Sequence, residues 1–177
     1  MAVICPERIL TMVLLAATGG GWDAIPMSLN ALSIIAHGCF DKTLFGKARL
    51  ETELIYSQKR LGQNILDKCT VRDIMIEKRF QRLCRCKEPV DYSVGERGQL
   101  YAIWNHKLTE KELVDIRNSK ILVKLLHGKY DILANPRRGI NLARRLYAPI
   151  IMVDGGHLVI HENAKQVGKE ILKIITL

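Results

Sequence analysis

Aromatic residues are scarce, 6% of the 177-residue chain with two tryptophans and three phenylalanines. Few lie near the basic segments, which disfavours a stacked platform for single-stranded nucleic acid. No apolar stretch reaches the ~18 residues that a spanning helix needs. Gly-x-Ser-x-Gly, a Walker loop, Gly-x-Gly-x-x-Gly after a strand and His-Glu-x-x-His are all missing, so no catalytic residue is assigned and no cofactor is expected. Repeats and low-complexity segments are also lacking. Five cysteines make an odd set, and Cys84 and Cys86 are too near each other for an ordinary disulfide. That usage fits a reducing compartment, the cytoplasm. The apolar stretch 9–17 follows Glu7 rather than a cationic segment, and Gly19, Gly20 and Gly21 stand where a cleavage site would be, so it reads as part of the folded protein.

What is present is a foldable composition, 48% hydrophobic, carrying a formal charge of +9. Pro6 at a first helical position and the apolar run after it predict a core helix over 6–17. Ser28 caps a second helix that ends at Gly38, and a third runs from about Thr43 to Leu61. Thr70 and Asp73 have capping-box spacing for a helix over 71–84. The helix pairs around Gly38 and Gly62 have the look of a helix-turn-helix. Between Lys87 and His106 the helical period fades, so residues 89–108 are expected as a linker or short hairpin between an N-terminal helical domain, 1–88, and a C-terminal α+β domain, 109–177. Thr109 and Glu112 form a second capping box, a further helical run covers 120–126, and Asn135-Pro136 opens a helix to Leu146. Segments 148–153 and 157–160 read as a hairpin around Asp154-Gly155-Gly156, and a helix over 163–175 closes the chain. The expected fold is mainly α, a helical bundle with a small C-terminal hairpin and terminal helix.

The charge is clustered. From Ile55 to Lys87 nine basic residues face three acids, a net of +6, and from Ile132 to Val153 four arginines face none. On the helix opened by Asn135, Arg137, Arg138, Asn141, Arg144 and Arg145 share one side, while Leu142, Ala143, Leu146 and Tyr147 share the other. Guanidinium groups on one acid-free face suit phosphate and base edges. Arg72, Lys78, Arg79, Arg82 and Arg85 form a second, less regular cationic set. A solvated outer face is the plainer alternative for both.

His157 and His161 are four apart and Cys84 and Cys86 two apart, a conceivable but poorly spaced zinc set. Asp154 beside His157 suggests acid–base chemistry, although turn geometry explains the Asp-Gly-Gly corner without it. These residues together predict a DNA-binding transcription regulator, not an enzyme, with duplex DNA as partner and no membrane association; a protein partner or homo-oligomer is compatible. An RNA-binding or ribonucleoprotein accessory subunit and a nucleic-acid-processing enzyme are the alternatives.

Overall fold

The computed structural model describes residues 2–26, 28–66, 68–85 and 92–176. Its centre is a parallel sheet of three strands in the order β1 (Thr11–Leu15), β4 (Leu122–Gly128), β5 (Ile150–Val153). Thr11 to Leu15 pair in step with Leu122 to Leu126, and Leu125 to Gly128 with Ile150 to Val153. A parallel sheet covered on both faces needs strands that are apolar on both sides. The runs Met12-Val-Leu-Leu15 and Leu122-Val-Lys-Leu-Leu126 are of that kind, and their brevity makes them look helical by period alone.

Alternate side chains go to opposite faces. Met12, Leu14, Val123, Leu125 and Ile150 pack with Leu113 and Ile116 of α6 (Glu110–Asn118) and with Leu142, Ala143 and Leu146 of α7 (Pro136–Leu146). Val13, Leu15, Leu126, Ile151 and Val153 pack on the other face with Val159 of the single-turn α8 (Val159–Glu162) and Val167 and Ile171 of α9 (Ala164–Ile175). Lys124 points to that second face too, where Glu170 takes its ammonium at 2.7 Å.

Between β1 and β4 lies a helical layer. Ser28 accepts from the Ala31 amide to cap α1 (Leu29–Phe40), and Thr43 caps α2 (Leu44–Ile55) in the same way. After Tyr56 the chain restarts at Ser57, which caps α3 (Gln58–Leu61). A small antiparallel pair, β2 (Asn64–Leu66) and β3 (Cys69–Thr70), leads into α4 (Val71–Cys84), which has a complete Thr70/Asp73 capping box. α4 lies on α2 through Ala48, Ile76, Phe80 and Leu83. α5 (Tyr92–Asn105) touches the short 3₁₀ turn Gly21–Ala24, with Trp22 and Trp104 ring centroids 4.9 Å apart.

Several expectations are corrected. The helical-bundle reading, with its helix-turn-helix variant, gives way to an α/β architecture with a parallel sheet. The helix expected over 6–17 is a 3₁₀ turn, Pro6–Arg8, followed by β1, and the run over 120–126 is β4. The long helix over 43–61 breaks at Tyr56. No C-terminal hairpin forms, because β5 pairs parallel with β4 and the chain after Gly156 turns into α8. Of the stretch expected as a linker, 89–91 lie outside the described residues and Tyr92–Asn105 are helical.

Candidate active site

Two loops at the carboxyl ends of adjacent parallel strands meet, the position where open α/β sheets place their sites. The first follows β4 and carries Asp131; the second follows β5 and carries His157. They touch because Gly128 has no side chain: a Cβ there would fall 2.0 Å from the Gly156 carbonyl oxygen and 2.4 Å from that of Gly155. Backbone bonds from Lys129 to Val153 and from Tyr130 to the Gly155 carbonyl, at 2.8 and 3.0 Å, join the two loops.

Asp131 is buried. Its Oδ1 accepts the amides of Leu133 and Ala134 at 2.9 and 2.8 Å, which fixes the carboxylate plane. Its Oδ2 accepts from Nδ1 of His157 at 2.9 Å. Since a carboxylate only accepts, this contact assigns the proton to Nδ1 of the neutral ring and leaves an electron pair on Nε2. The His157 side chain keeps 29% of its surface, against none for Asp131. A cleft of about 320 Å³ opens beside Asp131, walled by Asn30, Tyr56, Lys59, Lys129, Tyr130 and Ile132.

A second imidazole stands behind the acid. His127, fully buried on β4, donates Nε2–H to the Ala134 carbonyl at 2.9 Å and lies 3.5 Å from Asp131 Oδ2. Its Nδ1 has no hydrogen-bond partner among the described residues. The ring fits because the facing α7 residue is Gly139, where a Cβ would come within 2.4 Å of that Nδ1.

Asp154, the sequence neighbour that raised acid–base chemistry with His157 as the lesser reading beside turn geometry, does something else. It pairs with Lys59 at 2.5 Å, and that hydrogen bond chiefly holds its carboxyl below the ordinary range. The residue that does orient His157 is 26 positions away in the chain. A signal was nevertheless present: an acid three residues after a glycine that ends an apolar strand. Recognising it required β4 to be read as a strand.

The expected cationic site is also placed. The apolar side of α7, Gly139, Leu142, Ala143 and Leu146, is buried, and Arg137, Arg138 and Arg144 are exposed, with Asn141 and Arg145 at the margin. The acids missing from this stretch of sequence arrive from elsewhere: Asp23 meets Arg138 at 2.9 Å, and Glu110 meets Arg145. On α4, Arg72 bonds Gln58 at 2.6 Å and sits 3.9 Å from Glu53, Arg79 pairs with Glu51, and Lys78, Arg82 and Arg85 are exposed. The zinc candidates are not brought together among the described residues: His157 faces Asp131, His161 faces Tyr56, Cys84 is exposed on α4, and Cys86 lies outside the described residues.

No protein-family model matches the chain, and no curated protein does. Solved structures do. The enol-lactonase from Burkholderia xenovorans LB400 superposes with a TM-score of 0.68 at 15% identity, covering 99% of this chain and 60% of the other. A serine hydrolase from the polyaromatic hydrocarbon-degrading bacterium Cycloclasticus zankles gives 0.66 at 17%, with 99% and 58% covered. An alpha/beta hydrolase enzyme from a Medee basin deep-sea metagenome library gives 0.61 at 18%, with 99% and 59% covered. The architecture is therefore that of the alpha/beta hydrolase fold, and the chain spans about three-fifths of the length of these structures.

This likeness overturns the functional expectation. The DNA-binding regulator, with its RNA-binding alternative and its nucleic-acid partner, is set aside, because the neighbours are hydrolases. The expectation that the chain is not an enzyme falls with it. Clustered charge misled because linear sequence hides the acids that folding brings to α7 and α4.

Proposed function

We propose that the chain carries the acid and base of a hydrolase site acting on the carbonyl group of a small molecule, with His157 as general base and Asp131 as the group that orients it. The observation that carries this reading is the 2.9 Å contact from His157 Nδ1 to a buried carboxylate already fixed by two backbone amides. In that arrangement Nε2 takes a proton from a hydroxyl or water attacking the carbonyl, the imidazolium is stabilised by Asp131, and the proton returns to the leaving group. The order Asp131 before His157 agrees with the acid and base order of the alpha/beta hydrolase triad, whose nucleophile comes earlier and sits in Gly-x-Ser-x-Gly. None of the five serines here, at 28, 33, 57, 93 and 119, stands in that pattern. Among the described residues no hydroxyl or thiol is bonded to Nε2.

Cytoplasmic location is part of the same reading, supported by the free thiols of Cys5, Cys69 and Cys84. No helix among the described residues is long and apolar enough to cross a membrane.

The test is hydrolysis of p-nitrophenyl acetate by the full chain. His157→Ala is expected to abolish the protein-dependent rate, and Asp131→Asn to lower it by about 10²–10⁴-fold, as loss of oriented general-base catalysis does. A rate that both variants leave untouched, or no rate above buffer in the unaltered protein, would overturn the proposal.

A further inference from the structure

The loop that carries His157 is held from its far side by the corner where α2 ends and α3 begins. Gly156, which precedes His157, lies directly against that corner: a Cβ on it would come 2.6 Å from the Ser57 nitrogen and 2.8 Å from the Tyr56 carbonyl carbon. Glu162, at the end of α8, closes the contact. Its Oε1 accepts the amides of both Ser57 and Gly156, at 2.9 and 2.8 Å, and its Oε2 accepts the Ser57 hydroxyl at 2.5 Å. Ser57 is buried at 2% exposure, so its hydroxyl has little water to turn to if the carboxylate is removed.

Other bonds converge on the same junction. The Leu158 amide donates to the Ile55 carbonyl at 3.0 Å, and Lys59 reaches Asp154. The Tyr56 hydroxyl lies 3.0 Å from His161 Nδ1, and burial, then the charge of Glu162, raise its pKa above the ordinary phenol value. Of all these groups, only Glu162 binds the helical layer and the residue next to His157 with one oxygen atom.

We propose that Glu162 is a positioning residue for His157. By gripping Ser57 and Gly156 together, it ties the histidine loop to the α2–α3 corner and keeps the imidazole against Asp131. The inference rests on reading Asp131 and His157 as the acid–base pair, but it concerns the placement of the ring and is read without substrate. The Leu158–Ile55 and Lys59–Asp154 bonds flank this link, and the Glu162 carboxylate is the group that joins both backbone amides at the junction.

The experiment is nitrogen-15 NMR of the His157 ring in the full chain, which reports the proton on Nδ1 that the Asp131 contact requires. Glu162→Ala should lose the Nδ1–H signal while circular dichroism and the melting profile still show a folded protein. Glu162→Gln keeps an Oε1 that accepts both amides, and should retain the signal. Ser57→Ala removes the hydroxyl bond to Glu162 together with the α3 cap on the Arg60 amide, leaves both amide bonds to Oε1, and should give several-fold faster exchange of the Nδ1 proton with water. It decides the matter if Glu162→Ala fails to fold. Glu110→Ala, which breaks an exposed ion pair to Arg145 away from the loop, should change nothing. An unmoved His157 signal in folded Glu162→Ala, or unmoved exchange in Ser57→Ala where that variant decides, would overturn the proposal. Failed ester hydrolysis with the signal responding as stated would remove the hydrolase reading and leave this one standing.

Discussion

The sheet layer and the helical layer use their apolar residues in opposite ways. Around β1, β4 and β5 the large side chains are enclosed: Leu125, Leu126, Val153, Val159 and Val167 are at most 1% exposed. Across α1, α2 and α5 they stand out, with Leu29, Phe40 and Trp104 at 84, 88 and 54%. Close packing in the first layer is what lets two loops meet at the accuracy that a 2.9 Å contact needs. The second layer meets the site mainly through residues 55–59 and the cleft wall. The enclosed layer carries the Asp131–His157 contact, and the helical one meets its loops at Ser57 and along the cleft wall.

The sharpest way to break that contrast is to truncate one leucine in each layer. Leu126→Ala, between the two neighbouring strands and against α9, should cost about 2–5 kcal/mol through the cavity it leaves. Leu29→Ala should stay within about 0.5 kcal/mol, as exposed substitutions do. Urea unfolding measures both, and equal losses would remove the distinction between the layers.

Two glycines sharpen the contrast within the sheet layer itself. Gly139→Ala puts a methyl group against buried His127, and should cost about 1–3 kcal/mol by overpacking. Gly168→Ala, on α9 with nothing within 4 Å of the added carbon, should instead gain about 0.5–1 kcal/mol from helix propensity. The difference between the two melting temperatures is the quantity to measure.

A smaller effect should appear in acid. Hydrogen bonds from Lys124 and then Lys173 lower the Glu170 carboxyl from its ordinary 4.5 to about 2. A depressed carboxyl favours the folded state above its unfolded value. That contribution is therefore complete above about pH 4.5 and fades as pH falls toward 2. Glu170→Gln should flatten the stability profile between those limits and leave its shape unchanged above pH 6. An identical acid limb in the variant would show that the Lys124 contact on the sheet face adds no pH dependence.

The legible parts of the fold were those with local signals. Ser28, Thr70, Thr109 and Asn135 start helices where their side chains can take a first-turn amide, and all four do so. The amphipathic division of α7 was equally local. The sheet was not legible, because Thr11–Leu15 and Leu122–Gly128 are short, mostly apolar stretches without a clean period of two, and their strand identity comes from pairing with each other. With the sheet unread, nothing in the sequence placed the loop of Asp131 beside that of His157. For His157 only Asp154 stands close in sequence, and the hairpin turn that accounts for that corner without chemistry does not form. The close approach of Gly128 and Gly156, which no local rule demands, is what brings the true partner in.

The most direct measurement is the nitrogen-15 spectrum of the His157 ring in the unaltered protein, in Asp131→Asn and in Asp154→Asn. The neutral ring should carry its proton on Nδ1 in the unaltered protein and in Asp154→Asn, and should lose that tautomer in Asp131→Asn. Loss of the Nδ1 proton in Asp154→Asn, with Asp131→Asn unchanged, would contradict the assignment of Asp131 as the residue that orients the base.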